Sequence, residues 1–216
     1  MKIKIQSEKL NFKKQNAIVL FSDAKFNIKG LNSGPIENYK SSITKTISLN
    51  KNHIKDIFNF DVSPLLKIII IKIDNNIQLA DDCEKLGAKF LNYIKSNSIY
   101  RTSLIYSNAS FFMQRKQNFI DEFISGVLIK SYDFEKYKTK KNIDQFFINL
   151  IGNFNKSILK KNNKFKSLVE GINFTKDLVS EPGNILHPDE YVNRIKKLKS
   201  LGLKITILDK KKLKKL

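Results

Sequence analysis

Residues 178–191 read LVSEPGNILHPDEY, in which two of the chain's four prolines flank a glycine, an asparagine and His187. Such a loop could be a metal or substrate loop built around His187. One imidazole without neighbouring ligands is not a metal site, however, and the stretch reads better as a rigid connector between two helices. Asp81, Asp82 and Glu84 around Cys83 could form an acidic metal cluster. On a helix, neighbours one and two apart point to different sides, so these carboxylates read as a solvated face flanking Cys83. The run YDFEKYKTKK at 132–141 interleaves aromatics with lysines, a pattern that can stack bases and hold phosphates. The preferred reading is that Tyr132, Phe134 and Tyr137 pin the end of a helix to the core while Lys138, Lys140 and Lys141 stay in solvent.

No G-x-G-x-x-G, G-x-x-x-x-G-K-[ST] or G-x-S-x-G occurs, so phosphate cradles and nucleophile elbows lack support. His53, His187 and Cys83 have no ligand spacing among them. No catalytic, cofactor-binding or metal-binding residue is therefore assigned in this chain.

The elements that would position any site are legible as alternating patterns. Strand-like runs occur at Ile3–Ile5, 17–21, 67–73, 103–107, 146–151 and 203–208. Leu79, Cys83, Leu86, Phe90 and Ile94 share one helical face, as do Ile120, Phe123, Ile124, Val127 and Leu128. Strands alternating with such helices predict α/β layering, and Ile68–Ile71, apolar on both faces, suits a strand with helices on both sides. After Gly152 the repeat of Phe165, Leu168, Val169, Ile172, Lys176 and Val179 predicts one helix over about 160–179, ending before Pro182. Pro188 then suits the first position of a second helix with Asp189 and Glu190 in its first turn and His187 at or next to the N-cap. Tyr191, Ile195 and Leu198 are expected to bury one face of that helix, Gly202 to cap it, and Asp209 to start another. This helix, the strand 203–208 and the nascent helix cannot bury their own apolar faces, so the last ~40 residues read as the opening of a second α/β domain.

With 216 residues and 41% hydrophobic content the chain can build a large core. Its +20 charge invites a nucleic-acid reading, but lysine is spread over every segment beside abundant Asn, Ile and Phe, the bias of an AT-rich genome. The single cysteine excludes an intramolecular disulfide framework. The N-terminus lacks the apolar run of a signal peptide and no run is long enough to span a bilayer, so a soluble, cytoplasmic protein is expected. Asn108-Ala-Ser, Asn155-Lys-Ser and Asn173-Phe-Thr match the glycosylation pattern by chance.

Taken in order, these segments resemble the leucyl aminopeptidase family (peptidase family M17, the cytosol aminopeptidases). Residues 171–216 are similar to the family's "A-R-D-L-V-N-x-P-x-N-x-L-x-P-x-x-Y-A", a helix, then "G-L-x-V-x-V-L-D". Lys176, Asp177, Leu178, Val179, Pro182, Asn184, Leu186, Pro188 and Tyr191 fall into that pattern. GVLIKSYDFEKYKTKK at 126–141 is similar to "G-x-x-L-x-x-Y-x-F-x-x-Y-K". Two departures stand out: DNN at 74–76 replaces a "G-L-G" turn, and Lys176 replaces an arginine.

The resemblance implies an N-terminal macro-like α/β domain with a mixed sheet flanked by helices at 1–152, a linker helix at 153–180, and at 181–216 the start of a catalytic aminopeptidase domain. It implies two divalent metal ions, Mn or Zn, in the full-length enzyme, held by carboxylates and a lysine downstream of the matched stretch, and none bound by this chain. Peptide substrates and a homo-oligomer, a hexamer by family resemblance, are implied as partners; no membrane partner is expected, and the even spread of lysine makes nucleic-acid binding unexpected or non-specific. The competing reading is a non-catalytic macro-like binding module for a nucleotide or nucleic acid, which the lack of glycine-rich loops disfavours for nucleotides.

Overall fold

The apolar runs at residues 16–22, 66–72, 101–105 and 145–151 lie side by side, with 2–6 at one edge, because the inner runs bury both of their faces in a sheet covered by helices. A computed structural model describes residues 2–9, 16–32, 36–50, 55–73, 79–114, 116–140, 144–152, 160 and 163–215. The chain divides into two compact units, Met1–Glu170 and Gly171–Leu216.

In the first unit, β1 (Lys2–Gln6), β2 (Asn16–Ser22), β3 (Ile57–Ser63), β4 (Leu66–Lys72), β5 (Arg101–Ile105) and β6 (Gln145–Ile151) form one sheet in the order β1-β6-β5-β2-β4-β3. All neighbours are parallel except β3 and β4, which form a hairpin about Pro64 and Leu65. This is the mixed, helix-flanked sheet of the expected fold class.

Helix α1 (Lys40–Asn50) covers one face, where Ile43 and Ile47 meet Ile18, Leu20, Ile68 and Ile70. Helices α2 (Ala80–Ser96), α3 (Tyr106–Met113) and α4 (Phe119–Lys130) cover the other, where Phe90, Phe112, Phe119 and Phe123 pack with Val19, Phe21, Ile69 and Ile71. Alternate residues of β4 thus serve opposite cores, which is why the run 68–71 carries no polar position. Phe21 meets Phe112, Phe119 and Phe123 edge-on at 6.0, 5.0 and 5.4 Å between centroids, the arrangement ring quadrupoles favour.

Two glycines bring α2 against α4. A Cβ at Gly87 would overlap the Phe123 carbonyl, and one at Gly126 would overlap the Glu84 carbonyl.

Two sequence expectations need correction in this unit, and two of its elements went unread. The run 103–107 is a strand only to Ile105; Tyr106 already begins α3. Helix α1 and strand β3 gave no clear signal: α1 is rich in Ser and Thr with only two buried isoleucines, and β3 is an edge strand shielded on one side. Leu79 shares the spacing of α2's buried face but is exposed, because it is the N-cap of that helix.

Helix α5 (Lys164–Ser180) ends before Pro182 as expected. In the second unit follow α6 (Pro188–Lys197), a 3-10 turn (Leu198–Leu201), Gly202 at φ +87°, and α7 (Lys210–Leu213), whose N-cap Asp209 accepts a hydrogen bond from the Lys212 N–H at 2.8 Å. The left-handed φ explains glycine at 202.

The expected buried face of α6 does not form. Tyr191 is exposed, Ile195 and Leu198 are half-buried, and among the described residues of Gly171–Leu216 only Leu178 and Glu181 are buried. An apolar helix stripe is buried only against a second layer. The expected strand 203–208 likewise pairs with nothing among the described residues, since a strand needs a neighbouring backbone to be one. Among the described residues no helix is long and apolar enough to cross a membrane.

Candidate functional site

His187 acts through its main chain. It is the N-cap of α6 in extended conformation, its carbonyl accepts the Tyr191 N–H at 3.0 Å, and its side chain is exposed. Pro182 turns the chain toward it: the Pro182 carbonyl accepts the N–H groups of Ile185 and Leu186, both at 2.9 Å. The ionic anchor of this connector is one the sequence reading missed. Arg194 donates from Nη1 to Glu181 Oε1 and from Nε to Glu190 Oε1, both at 2.9 Å. The Glu181 side chain is 1% exposed and that of Arg194 16%, so the guanidinium fork holds a carboxylate that would be costly to bury alone. Its hydrogen bonds to Glu190 and Glu181 raise the Arg194 pKa, and the same bond lowers that of Glu190. The Glu190–Arg194 spacing of four was a readable helix-pair signal.

The residues that match the family pattern are mostly on the surface of this unit. Asp177, Val179, Pro182, Asn184, Pro188 and Tyr191 are exposed, Lys176 and Leu186 half-buried, and Leu178 buried. The DNN run at 74–76 and Lys141 lie outside the described residues.

The acidic start of α2 does not converge. Asp81 pairs with Lys85, Asp82 Oδ2 accepts the Leu79 N–H at 3.3 Å, and Glu84 is half-buried. Cys83 faces inward, and burial, then the charge of Glu122, push its thiol up to about 12. A thiol so raised and fully buried is a packed core group rather than an activated nucleophile. Glu122, on α4, is buried beside Lys116 at 3.2 Å, an ion pair the periodicity did not reveal. Burial, then Asp81 and Glu122, raise the Glu84 pKa. Among the described residues no three His, Cys, Asp or Glu side chains lie where they could hold a metal ion.

At 132–140, Tyr132 and Phe134 are half-buried, but Tyr137 is 50% exposed and rests edge-on against Phe134, so it does not pin the helix end as expected. Lys138 pairs with Asp133 at 2.9 Å. Another basic and aromatic group stands across three strands: Arg101 and Lys4, both in register with Phe147, lie 4.3 and 6.0 Å from its ring centre.

Open α/β sheets bind ligands at the carboxyl ends of their strands, and here the polar groups at those ends serve the backbone. β5 pairs with β2 only as far as Val19, so Phe21 has no ladder partner on that side. Asn108, fully buried on α3, stands in for the missing strand: Oδ1 accepts the Phe21 N–H at 2.6 Å, and Nδ2 donates to the carbonyls of Phe21 and Lys29 at 3.0 and 2.8 Å. Asn149 does the same for Glu8, accepting its N–H at 2.7 Å and donating to its carbonyl at 2.9 Å.

No family model matches the chain. Over about 45% of its length it is 40% identical to a probable cytosol aminopeptidase of Phytoplasma mali (strain AT), and over 44% it is 38% identical to one of Phytoplasma australiense. The matched stretches span 21% and 20% of those relatives, about a fifth of their length. Among solved structures, a tomato leucine aminopeptidase mutant superposes with a TM-score of 0.71 at 15% identity, covering 99% of this chain and 46% of the tomato chain. The bottromycin maturation enzyme BotP gives 0.60 at 9% identity, covering 92% and 40%. The resemblance to the leucyl aminopeptidase family is thereby borne out, in sequence for part of the chain and in fold for nearly all of it.

Proposed function

We propose that this chain is the N-terminal portion of a metal-dependent leucyl aminopeptidase of the cytoplasm, with 1–152 a macro-like domain, 153–180 the linker and 181–216 the entry to the catalytic domain. The observation that carries this reading is the 40% identity to a cytosol aminopeptidase combined with a superposition that takes in 99% of the chain but 46% of the tomato aminopeptidase. Peptides are the substrates of the whole enzyme in this reading, and a homo-oligomer its assembled state.

The described residues of this chain do not fit a pair of Mn or Zn ions. Asp81 is engaged by Lys85, Asp82 faces a backbone amide, and Cys83 is turned into the hydrophobic core. A two-metal peptidase needs several carboxylates converging on ions about 3.5–4 Å apart. The contribution of these residues is accordingly architectural. The sheet and its helices provide the folded base, and the Glu181–Arg194–Glu190 anchor fixes the connector that leads out of α5.

Release of chromophore from leucine anilide, with Mn or Zn added, tests the reading together with metal analysis of the purified chain. The 216-residue chain is expected to show no turnover and no stoichiometric metal. Its coding sequence, read beyond Leu216, is expected to continue into the Lys, Asp and Asp-x-Glu-x-Arg segments of the family. Metal-dependent turnover by these residues alone would place the active site elsewhere.

A further inference from the structure

Lysine is spread along the chain, but the carboxylates that balance it are not. Residues 191–216 hold ten Lys and Arg and a single carboxylate, Asp209, so +9 of the chain's +20 charge falls within 26 residues. Residues 171–190, by contrast, hold four carboxylates and one lysine. An AT-rich codon bias supplies lysine; it does not clear Asp and Glu from one stretch. The structure leaves this charge outward and uncompensated. The nine lysines of 196–215 are all exposed, and none forms an ion pair with another described residue. Asp209 accepts the Lys212 N–H, and Arg194 is held by Glu181 and Glu190. In Met1–Glu170, Lys67, Lys72, Lys85, Lys116 and Lys138 each pair with a carboxylate. Exposed leucines run among the unpaired lysines: Leu201, Leu203, Leu208 and Leu213 are 75%, 54%, 46% and 55% exposed, each within two residues of a lysine.

We propose that residues 196–215 dock this chain onto a membrane surface rich in anionic phospholipid, lying on it without crossing it. The uncompensated lysines set the sign of the partner, and the side chains among them set its class. A surface that grips nucleic acid sets arginines and aromatic rings against phosphates and bases. In 191–216 the one arginine is already bonded to two carboxylates, and the one aromatic ring is Tyr191. Lysines interleaved with exposed leucines match an acidic bilayer surface instead, where leucine enters the acyl boundary and the long lysine stem lets the ammonium reach a headgroup phosphate. The expectation of no membrane partner goes with the lack of a spanning run, and docking on the surface needs none. The proposal stands on this charge and exposure and not on the aminopeptidase reading.

The test is co-sedimentation of the 216-residue chain with vesicles of phosphatidylglycerol and phosphatidylcholine in equal parts, and with vesicles of phosphatidylcholine alone. The chain is expected to partition onto the mixed vesicles at least about tenfold more strongly than onto the neutral ones, and less strongly as salt is raised. Lys210→Glu, Lys211→Glu and Lys212→Glu combined are expected to lower that partition at least about tenfold. Lys45→Glu, Lys89→Glu and Lys140→Glu combined, which shift the net charge equally from exposed positions of the first unit, are expected to lower it less than about threefold. Leu203→Ser with Leu213→Ser, at unchanged charge, is expected to lower it at least about threefold. Circular dichroism of each variant, unchanged from the parent chain, shows that the loss is not one of folding. Equal losses from the two lysine sets would assign the binding to net charge alone and overturn the proposal. Indifference to the leucine substitutions, or displacement of the chain from the mixed vesicles by an oligonucleotide at equal phosphate concentration, would overturn it as well.

Discussion

Met1–Glu170 and Gly171–Leu216 are built from similarly apolar segments, yet they treat those segments differently. In the first, Phe21, Phe90, Phe119, Phe123 and Phe146 are below 2% exposed, whereas in the second Val179 and Leu201 are 81% and 75% exposed. The difference lies in layering. The first unit has a sheet with helices on both faces, so the residues of its inner strands β2 and β4 find a cover on either side. The second has helices and an extended segment without a sheet, so its helical stripe and its strand pattern are both left open. Apolar patterning indicates what a segment can bury; whether it does so depends on which partners the fold supplies.

The contrast is most severely tested where the first unit is tightest. Replacing Gly126 or Gly87 by leucine drives a side chain into the carbonyl of Glu84 or Phe123 and is expected to destabilise the unit by about 3 kcal/mol or more, read as loss of cooperative thermal unfolding. Asn108→Ala leaves the Phe21 amide and carbonyl and the Lys29 carbonyl without their partner and is expected to cost about 2–4 kcal/mol in denaturant titration.

Alkaline pH should weaken the same core. The Cys83 thiol has its pKa raised from 9.0 to about 12, so between those values the unfolded chain loses a proton that the folded chain keeps. That part of the stability is complete below pH ~9 and is lost as the pH rises toward 12. Tyr93, raised chiefly by burial, acts in the same direction. Cys83→Ala should therefore flatten the alkaline limb of a stability–pH curve. In the second unit, Leu201→Ser and Leu203→Ser are expected to change global stability by about 0.5 kcal/mol or less, because neither side chain is buried. A large loss from either would break the comparison.

The same asymmetry explains what the sequence could convey. The isoleucine run of β4 and the three-and-four spacings of α2 and α4 were readable because each residue's environment matches its local period. Helix α1 was not, since its Ser and Thr residues carry little helical preference and tertiary packing of Ile43 and Ile47 holds it in place. Residues 203–208 and the face of α6 had the right periods, but periodicity does not contain the partner that would bury them. The connector was legible in its caps, Pro188, Gly202 and Asp209, and illegible in its anchor, because Glu181 and Arg194 meet only after the chain has turned at Pro182. Asn108 had the pattern of a surface glycosylation site and is a buried backbone clamp, a role set by where β5 stops.

Hydrogen exchange followed by mass spectrometry, performed on the chain alone under native conditions, measures the central contrast directly. The amides of β2, β4 and β5 are expected to exchange only through global unfolding, while those of 188–208 exchange at least a thousandfold faster through local opening. Equal protection in the two units would show that Gly171–Leu216 is as well covered as the sheet, and would contradict the account.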